Sequence, residues 1–310
     1  MTTSGKKPFV TVVGGVNLDI CGKSAANLVQ RDSNPGTVRT SLGGVGRNIA
    51  HNMALLGLEV KLFTALGTDE NAERVEKSCQ ELGIDLTHSR PVEGGVTSTY
   101  LVITDHLGEM ALALSDMDIH DHLTPDYIAS KLDILNQSAL VVVDTNLPAE
   151  TLAFLAQHCT APIFADPVST AKAPKLEPIL SRLHTLKANR LEAGLLSGIE
   201  ISHDESLHRA AKALLDKGLE RVFISLGPDG VLCVQGGETV FLPAIPGQQE
   251  NATGCGDALM AALAWSFLEG LDLKQTAQAG LAAAAIALAG AETINPTLSV
   301  TEMKRIAGLA

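Results

Sequence analysis

A glycine-rich turn with a carboxylate beside it precedes an apolar helix predicted over residues 258–268. The turn is Asn251-Ala252-Thr253-Gly254-Cys255-Gly256-Asp257. Small residues before a helix let backbone N–H groups converge at its positive end, which predicts an anion hole over Thr253, Gly254, Cys255 and Gly256. Asp257 in the first turn could be only a capping residue. A carboxylate beside an anion hole is also what phosphoryl transfer to an alcohol requires: a base for the hydroxyl and donors for the moving charge.

Two further groups could serve the phosphate side of such a reaction. Asn189 and Glu192 open a predicted helix three residues apart, on one face, where both could reach hydrated Mg²⁺ or phosphates. An ordinary helix cap explains them as well. Ser225, Gly227 and Gly230 follow a predicted strand, where backbone could approach a nucleotide, although a plain β-turn is the alternative.

Polar residues near the start of the chain could bind a sugar. Asn17 and Asp19 follow the first predicted strand, and a glycine-rich stretch precedes the next helix at Gly43, Gly44 and Asn48. A carboxylate acceptor with amide donors suits vicinal hydroxyls, while two ordinary strand and helix junctions are the alternative. Neither residues 17–24 nor residues 44–49 complete a P-loop or a dinucleotide fingerprint. His120-Asp121-His122 lacks further metal ligands at a recognisable spacing and is interpreted as a solvated loop.

Buried strands must alternate with helices to bring these distant residues together. Continuous apolar runs predict parallel strands covered on both faces, at residues 9–13, 60–65, 140–144, 163–166, 183–187 and 221–226. Helical patterns lie between them, at residues 47–56, 71–82, 124–135, 149–158 and 205–217. This alternation predicts an α/β sandwich with a central, mostly parallel sheet.

Two stretches, 37–42 and 97–114, predict strands with no helix between them, the second broken by a turn at 105–108. Alternating apolar residues at Thr97–Leu114 indicate a half-exposed antiparallel pattern. They could form a small sheet standing off the main domain, as a lid, or an extra hairpin at one edge of the main sheet.

Composition limits the classes of partner. The chain has 310 residues, is 45% hydrophobic and carries a formal net charge of −12, so it can fill a core, and its acidity argues against nucleic acid or an anionic membrane as the main partner. Five cysteines without a CxxC pair are expected to be scattered buried thiols. With no signal-peptide pattern and no apolar run of membrane-spanning length, we expect a cytoplasmic protein.

These pieces in this order resemble the ribokinase-like (PfkB-type) carbohydrate kinase family, from Val10 to about Pro296, most specifically at residues 43–50 and 251–257. The resemblance implies a three-layer α/β/α sandwich in one domain, 1–310, with a β-sheet lid formed near 15–42 and 95–115. It implies that Asp257 is the base and that residues 253–256 form the anion hole. The remaining implied roles are a ribose site (Asn17, Asp19, Gly43, Gly44 and Asn48), an ATP site (Lys187, Asn189, Glu192, Ser225, Gly227 and Gly230, with Asp166 nearby) and Mg²⁺ held through water by Asn189 and Glu192.

Several short strings, including Arg47 inside the glycine motif and Asp166-Pro167-Val168-Ser169, are similar to the branch of the family that phosphorylates pseudouridine. We therefore expect ATP-dependent phosphorylation of the 5′-hydroxyl of pseudouridine, and a homodimer formed through the lid. The alternatives are another nucleoside or a free sugar as substrate, or a non-catalytic nucleoside sensor. Asn251 and Ala252 stand where the family commonly has Asp and Thr, and Cys255 where it usually has Ala. The change at Asn251 predicts weak dependence on K⁺.

Overall fold

A computed structural model describes residues 8–247 and 249–310 as two layers of helices around a large sheet, with a small sheet beside it. The strands along the chain are β1 (Phe9–Val13), β2 (Asn17–Ser24), β3 (Gly36–Gly43), β4 (Glu59–Phe63), β5 (Ala65–Leu66), β6 (Arg90–Pro91), β7 (Thr99–Thr104), β8 (Met110–Asp116), β9 (Leu140–Asp144), β10 (Ile163–Asp166), β11 (Thr185–Asn189), β12 (Arg221–Ser225), β13 (Val231–Gln235) and β14 (Glu238–Leu242). The α-helices are α1 (Val45–Leu55), α2 (Glu70–Glu81), α3 (Pro125–Ala129), α4 (Leu132–Leu135), α5 (Ala149–His158), α6 (Arg190–Ser197), α7 (Asp204–Asp216), α8 (Cys255–Leu268), α9 (Leu273–Leu288) and α10 (Val300–Ala307).

The large sheet has eight strands in the order β14-β13-β12-β11-β10-β9-β1-β4, parallel from β4 to β12 and antiparallel at β13 and β14. One hydrophobic core lies between this sheet and α1, α2, α8, α9 and α10, and a second lies on the other face beneath α5, α6 and α7. The predicted α/β sandwich with a mostly parallel sheet is confirmed. Because both faces are covered, β9 is buried along its whole length, as its Val-rich sequence predicts.

The small sheet has four strands in the order β3-β2-β7-β8 and pairs with no strand of the large one. Its existence settles the choice between a separate sheet and an edge hairpin. One of its faces carries apolar side chains from all four strands, and Val38, Leu112 and Leu114 on that face are 72%, 56% and 60% exposed. We call this four-stranded sheet the lid, because the predicted sugar residues Asn17, Asp19 and Gly43 lie at or near the ends of its strands β2 and β3, next to the main sheet.

Local predictions differ from the structure at identifiable points. The helix predicted over 124–135 is two short helices, α3 and α4, separated at Ser130 and Lys131. The strand predicted over 183–187 is shifted to Thr185–Asn189, so Asn189 is both its last residue and the cap of α6. The predicted solvated loop around His120 is wrong. His120 lies in a short 3-10 helix, is 1% exposed and accepts a hydrogen bond from the Val16 N–H at 3.2 Å.

None of the helices within 8–247 and 249–310 is long and apolar enough to cross a membrane. The five cysteines are free thiols. Cys79, Cys159 and Cys233 are buried as expected, Cys255 is half-buried, and Cys21 is exposed on β2.

Glycines let the start of α1 pack directly on the end of β1. Gly44 caps α1 with a φ of 94°, and a Cβ there would lie 2.5 Å from the Gly15 carbonyl oxygen. At Gly46, a Cβ would lie 2.8 Å from the Gly14 carbonyl carbon. Close backbone contact between the β1–β2 loop and α1 therefore sets where Asn17 and Asn48 lie relative to one another.

We expect Gly46→Ala to lower the free energy of unfolding by about 1–3 kcal/mol, since its methyl group would push α1 away from the β1–β2 loop. Gly247→Ala is the matched control, because a Cβ at Gly247 has no neighbour within 4 Å. Chemical denaturation of both variants measures the difference. Equal stability of the two variants would contradict the close contact.

Candidate active site

Charged side chains meet where the parallel strands of the large sheet end. Asp144 and Asp166 are the last residues of β9 and β10 and lie opposite one another in the strand register. Lys187 lies on the neighbouring β11, and Asp257 enters from the first turn of α8. Side chains at the carboxyl ends of adjacent parallel strands converge at one edge of a sheet, where open α/β folds bind their ligands. The predicted base therefore stands among buried charges.

Asp257 is 9% exposed and accepts a hydrogen bond from Asn48 Nδ2 at 3.0 Å. Burial, together with the negative charge of Asp166, raises the pKa of its carboxyl group to about 7, while Lys187 and the Asn48 hydrogen bond oppose the rise. Asp257 belongs to α8 and Asn48 to α1, so this hydrogen bond joins two elements 209 residues apart in sequence. A carboxyl group tuned to neutral pH can take a proton from an alcohol and release it again.

Lys187 forms a buried ion pair with Asp166, whose Oδ2 accepts a hydrogen bond from Nζ at 2.6 Å. Burial disfavours the ammonium charge, yet the carboxylates of Asp166, Asp257 and Glu192 together raise the pKa of Lys187. The ammonium also lies at the start of α8, since a Cβ on Gly256 would approach Nζ to 2.8 Å. A fixed positive charge thus stands beside the predicted anion hole.

The α8 N-terminus has the backbone shape that the glycine-rich turn predicts. Gly254 caps the helix in the left-handed conformation, with a φ of 85°, and a Cβ there would lie 2.1 Å from the Thr293 carbonyl oxygen. The Thr253 N–H already donates to Asn251 Oδ1 at 2.9 Å. Among the four predicted members of the anion hole, the amides of Gly254, Cys255 and Gly256 are therefore the ones left to bind an anion.

Asn189 and Glu192 form a reciprocal capping box at the start of α6. The Glu192 N–H donates to Asn189 Oδ1 and the Asn189 N–H to Glu192 Oε2, each at 2.9 Å. Burial raises the pKa of Glu192, with Asp166 adding to the effect, while the Asn189 backbone hydrogen bond and the charge of Lys187 lower it. No described residue donates to Glu192 Oε1, so that oxygen fits a water of hydrated Mg²⁺. Within 8–247 and 249–310, no three His, Cys, Asp or Glu side chains cluster as direct metal ligands.

The predicted sugar residues lie together at the base of the lid. Asn17 Nδ2 donates to Asp19 Oδ1 at 2.6 Å, and Asp19 lies over Gly43, where a Cβ would meet its Oδ2. Burial raises the pKa of Asp19, against the opposing effects of Asn17 and Arg47. The structure therefore brings Asn17, Asp19, Gly43 and, through α1, Asn48 to one side of Asp257. The predicted nucleotide residues lie further along the sheet edge: Ser225 pairs with Asn189 in the register, followed by a 3-10 turn at Gly227–Asp229 and by Gly230.

Sequence reasoning missed Asp144. It is 0% exposed and accepts hydrogen bonds from the Gly15 and Asn146 backbone N–H groups, both at 2.8 Å. Burial raises its pKa to about 6. The sequence did contain a signal for this residue, because Asp144 ends a strand that is otherwise fully apolar. A buried carboxylate at such a position needs hydrogen-bond donors from neighbouring loops.

The fold and the family comparison together make this chain a member of the pfkB family of carbohydrate kinases, whose family model matches residues 7–299. It is 36% identical over 300 residues, 96% of each chain, to the pseudouridine kinase of Escherichia coli (strain K12). It is also 36% identical over 296 residues to an uncharacterized sugar kinase of the same strain, covering 95% of this chain and 82% of that one. The ribokinase of Arabidopsis thaliana complexed with ribose and ATP matches with a TM-score of 0.86 at 20% identity, covering 98% of this chain and 100% of that one. The expected ribokinase-like fold is confirmed.

If Asp257 must be ionised to act, kcat/KM should fall about tenfold per pH unit below a pH of about 7. Asn48→Leu removes the hydrogen bond that stabilises the carboxylate, so its pKa should rise and the falling limb should move to higher pH. The pH profile of both enzymes checks this. If the acidic limb of the kcat/KM profile is at the same pH in Asn48→Leu as in the parent enzyme, the group that titrates is not Asp257.

Asn251 generates a prediction about cation dependence. Its Oδ1 accepts a hydrogen bond from the Thr253 N–H, which holds the turn before α8 without a charged group. An amide lacks the charge that offsets removing water from the cation. We expect rates in KCl and in choline chloride of equal ionic strength to agree within about twofold, with Asn251→Asp making the rate more K⁺-dependent. Several-fold activation of the parent enzyme by K⁺ would contradict this role of Asn251.

Proposed function

We propose that the chain transfers the γ-phosphoryl group of ATP to the 5′-hydroxyl of pseudouridine, giving pseudouridine 5′-phosphate and ADP. The observation that carries the transfer is Asp257, a buried carboxylate with a pKa of about 7 held by Asn48 at the N-terminus of α8. The full-length similarity to a pseudouridine kinase supports the choice of acceptor.

In the proposed reaction, Asp257 takes the proton of the 5′-hydroxyl group while the oxygen of that hydroxyl group attacks the γ-phosphorus. The bond between that phosphorus and the β–γ bridging oxygen breaks, and ADP leaves. The amides of Gly254, Cys255 and Gly256 and the ammonium of Lys187 face the negative charge that develops on the phosphoryl oxygens. Asp166 keeps Lys187 charged and in place. These groups are fixed before substrate arrives, so little reorganisation accompanies the reaction.

Mg²⁺ and ATP fit the remaining residues. Asn189 and Glu192 would hold the ion through water, and the ion would neutralise phosphate charge. ATP would lie along Ser225, Gly227 and Gly230. The backbone is open at Gly227, where a Cβ has no neighbour within 4 Å, whereas Gly230 packs against the end of β14.

The lid gives the enzyme a way to exclude water, which would otherwise accept the phosphoryl group. It carries Asp19, so its closure would bring the sugar-binding carboxylate onto the substrate. Its apolar face is exposed at Val38, Leu112 and Leu114, which supports the proposal of a homodimer formed through the lid. Free cysteines throughout the chain support the proposed cytoplasmic location.

A sugar kinase is the second candidate, because the chain is as identical to a sugar kinase as to the pseudouridine kinase. ADP release should be measured with pseudouridine, uridine, adenosine and ribose at matched concentrations. We expect the highest kcat/KM with pseudouridine, whose carbon-linked base offers an additional ring N–H to the site. A preference for ribose would reject the nucleoside assignment but keep the kinase, and no ADP release with any acceptor would favour a sensor.

Asp257→Asn should lower kcat by at least about 10²–10⁴-fold while substrate affinity stays within a few-fold, since the amide keeps the shape but cannot take the proton. Turnover and equilibrium binding of the acceptor measure the two effects separately. Near-parental kcat in the variant would mean that Asp257 only caps α8.

A further inference from the structure

A side-chain pair beside the sugar residues has no part in the reaction described above. Asn146 follows β9, and its Oδ1 accepts a hydrogen bond from Lys172 Nζ at 2.6 Å. Both residues are half-buried. No described residue accepts a hydrogen bond from Asn146 Nδ2, and the ammonium of Lys172 has donors beyond the one that Asn146 uses. The pair is therefore a source of free hydrogen-bond donors.

The pair lies against the loop that carries the sugar residues. A Cβ on Gly15 would lie 2.6 Å from Asn146 Nδ2, so the amide is packed on a residue only two positions before Asn17. In a nucleoside, the base is attached to the carbon next to the 2′-hydroxyl, whereas the 5′-hydroxyl lies at the other end of the sugar. In the proposed complex, Asn17 and Asp19 bind the vicinal hydroxyls and the 5′-hydroxyl lies at Asp257. This orientation of the sugar places the base next to the β1–β2 loop.

A strained turn at Val168 precedes Lys172 in the chain. Val168 lies between Asp166 and Lys172 and has a φ of 62°, a left-handed conformation that a β-branched residue rarely adopts. Two hydrogen bonds enforce the turn: the Val168 N–H donates to Asp166 Oδ1 at 2.8 Å, and Thr145 Oγ1 donates to the Pro167 carbonyl at 2.5 Å. Such strain persists where the surroundings over-determine it, commonly at ligand sites. This turn directs the chain that follows β10 back toward the end of β9, where Lys172 reaches Asn146.

We propose that Asn146 and Lys172 bind the carbonyl oxygens of the nucleoside base, and so select bases that present carbonyl acceptors, as the uracil ring does. This inference rests on the proposed function. Asn146 Nδ2 and the free donors of Lys172 match two acceptors on one ring. The adenine ring presents no carbonyl oxygen to these donors, and free ribose presents no base to them at all.

The experiment compares kcat/KM for pseudouridine, uridine and ribose in three variants. Asn146→Asp keeps an acceptor for Lys172 but replaces the donor that faces the base by an oxygen. Lys172→Met removes the charged donor. Lys175→Met is the matched control, because Lys175 donates to the Thr145 and Leu147 carbonyls and makes no hydrogen bond to the Asn146 side chain. Where ribose turnover is too slow to measure, its binding constant from calorimetry replaces kcat/KM.

We expect Asn146→Asp and Lys172→Met to lower kcat/KM for both nucleosides by roughly 10- to 100-fold, and for ribose by less than about threefold. Lys175→Met should leave the ratio of nucleoside to ribose unchanged. Ribose activity also reports folding, since an unfolded variant would lose all substrates together.

Equal losses on ribose and nucleosides in a variant with the parental melting temperature would overturn the proposal, as would nucleoside activity that survives in both variants. A parent enzyme that prefers ribose would reject the proposed function and this inference together. A parent enzyme that prefers nucleosides but tolerates both substitutions would reject this inference alone.

Discussion

The buried ion pair between Lys187 and Asp166 is the interaction on which the rest of the site depends. Asp144, Asp166, Glu192 and Asp257 all lie within a small, largely dry region, where unpaired carboxylates would protonate or destabilise the fold. Lys187 is the cation that acts on Asp166, Asp257 and Glu192, while Lys172 acts on Asp144. Beside Asp166, Lys187 keeps a raised pKa and stays charged, and the two residues shift the pKa of Asp257 in opposite directions. Burial is the largest cause of the near-neutral pKa of Asp257, and the ion pair adjusts it.

The sheet supplies the geometry that such a charge balance requires. Three neighbouring parallel strands fix Asp144, Asp166 and Lys187 through backbone hydrogen bonds, which hold side chains more rigidly than loops can. Two helix N-termini then meet this edge, joined by the hydrogen bond from Asn48 to Asp257. Their close approach depends on glycines at the junctions, where a Cβ would collide with backbone. The glycines of both motifs therefore have a packing role.

Six buried strands could be predicted from the sequence, because apolar runs are local signals. Their ends could not always be predicted, since the strand expected over 183–187 lies at Thr185–Asn189, and the buried strand β13 was not predicted. The split of residues 124–135 into two helices could not be predicted, since a helical pattern does not show where tertiary packing interrupts it. Asp144 was missed because the hydrogen bond that ties it to the β1–β2 loop comes from Gly15, 129 residues away in sequence. Asn189 and Glu192 illustrate a third case. Both the capping interpretation and the phosphate-side hypothesis suit their spacing, and the capping box is present without excluding the second role.

The uneven burial of the five cysteines has a practical consequence. Cys79, Cys159 and Cys233 are enclosed in the core, and burial raises the pKa of Cys255 beside Asp257, so none of these four presents a ready thiolate. Cys21 alone is exposed, and it lies on the lid strand that also carries Asp19. A maleimide fluorophore would therefore attach to the lid of the unmodified protein without any engineered cysteine. Its emission would follow lid movement in real time as acceptor and nucleotide are mixed.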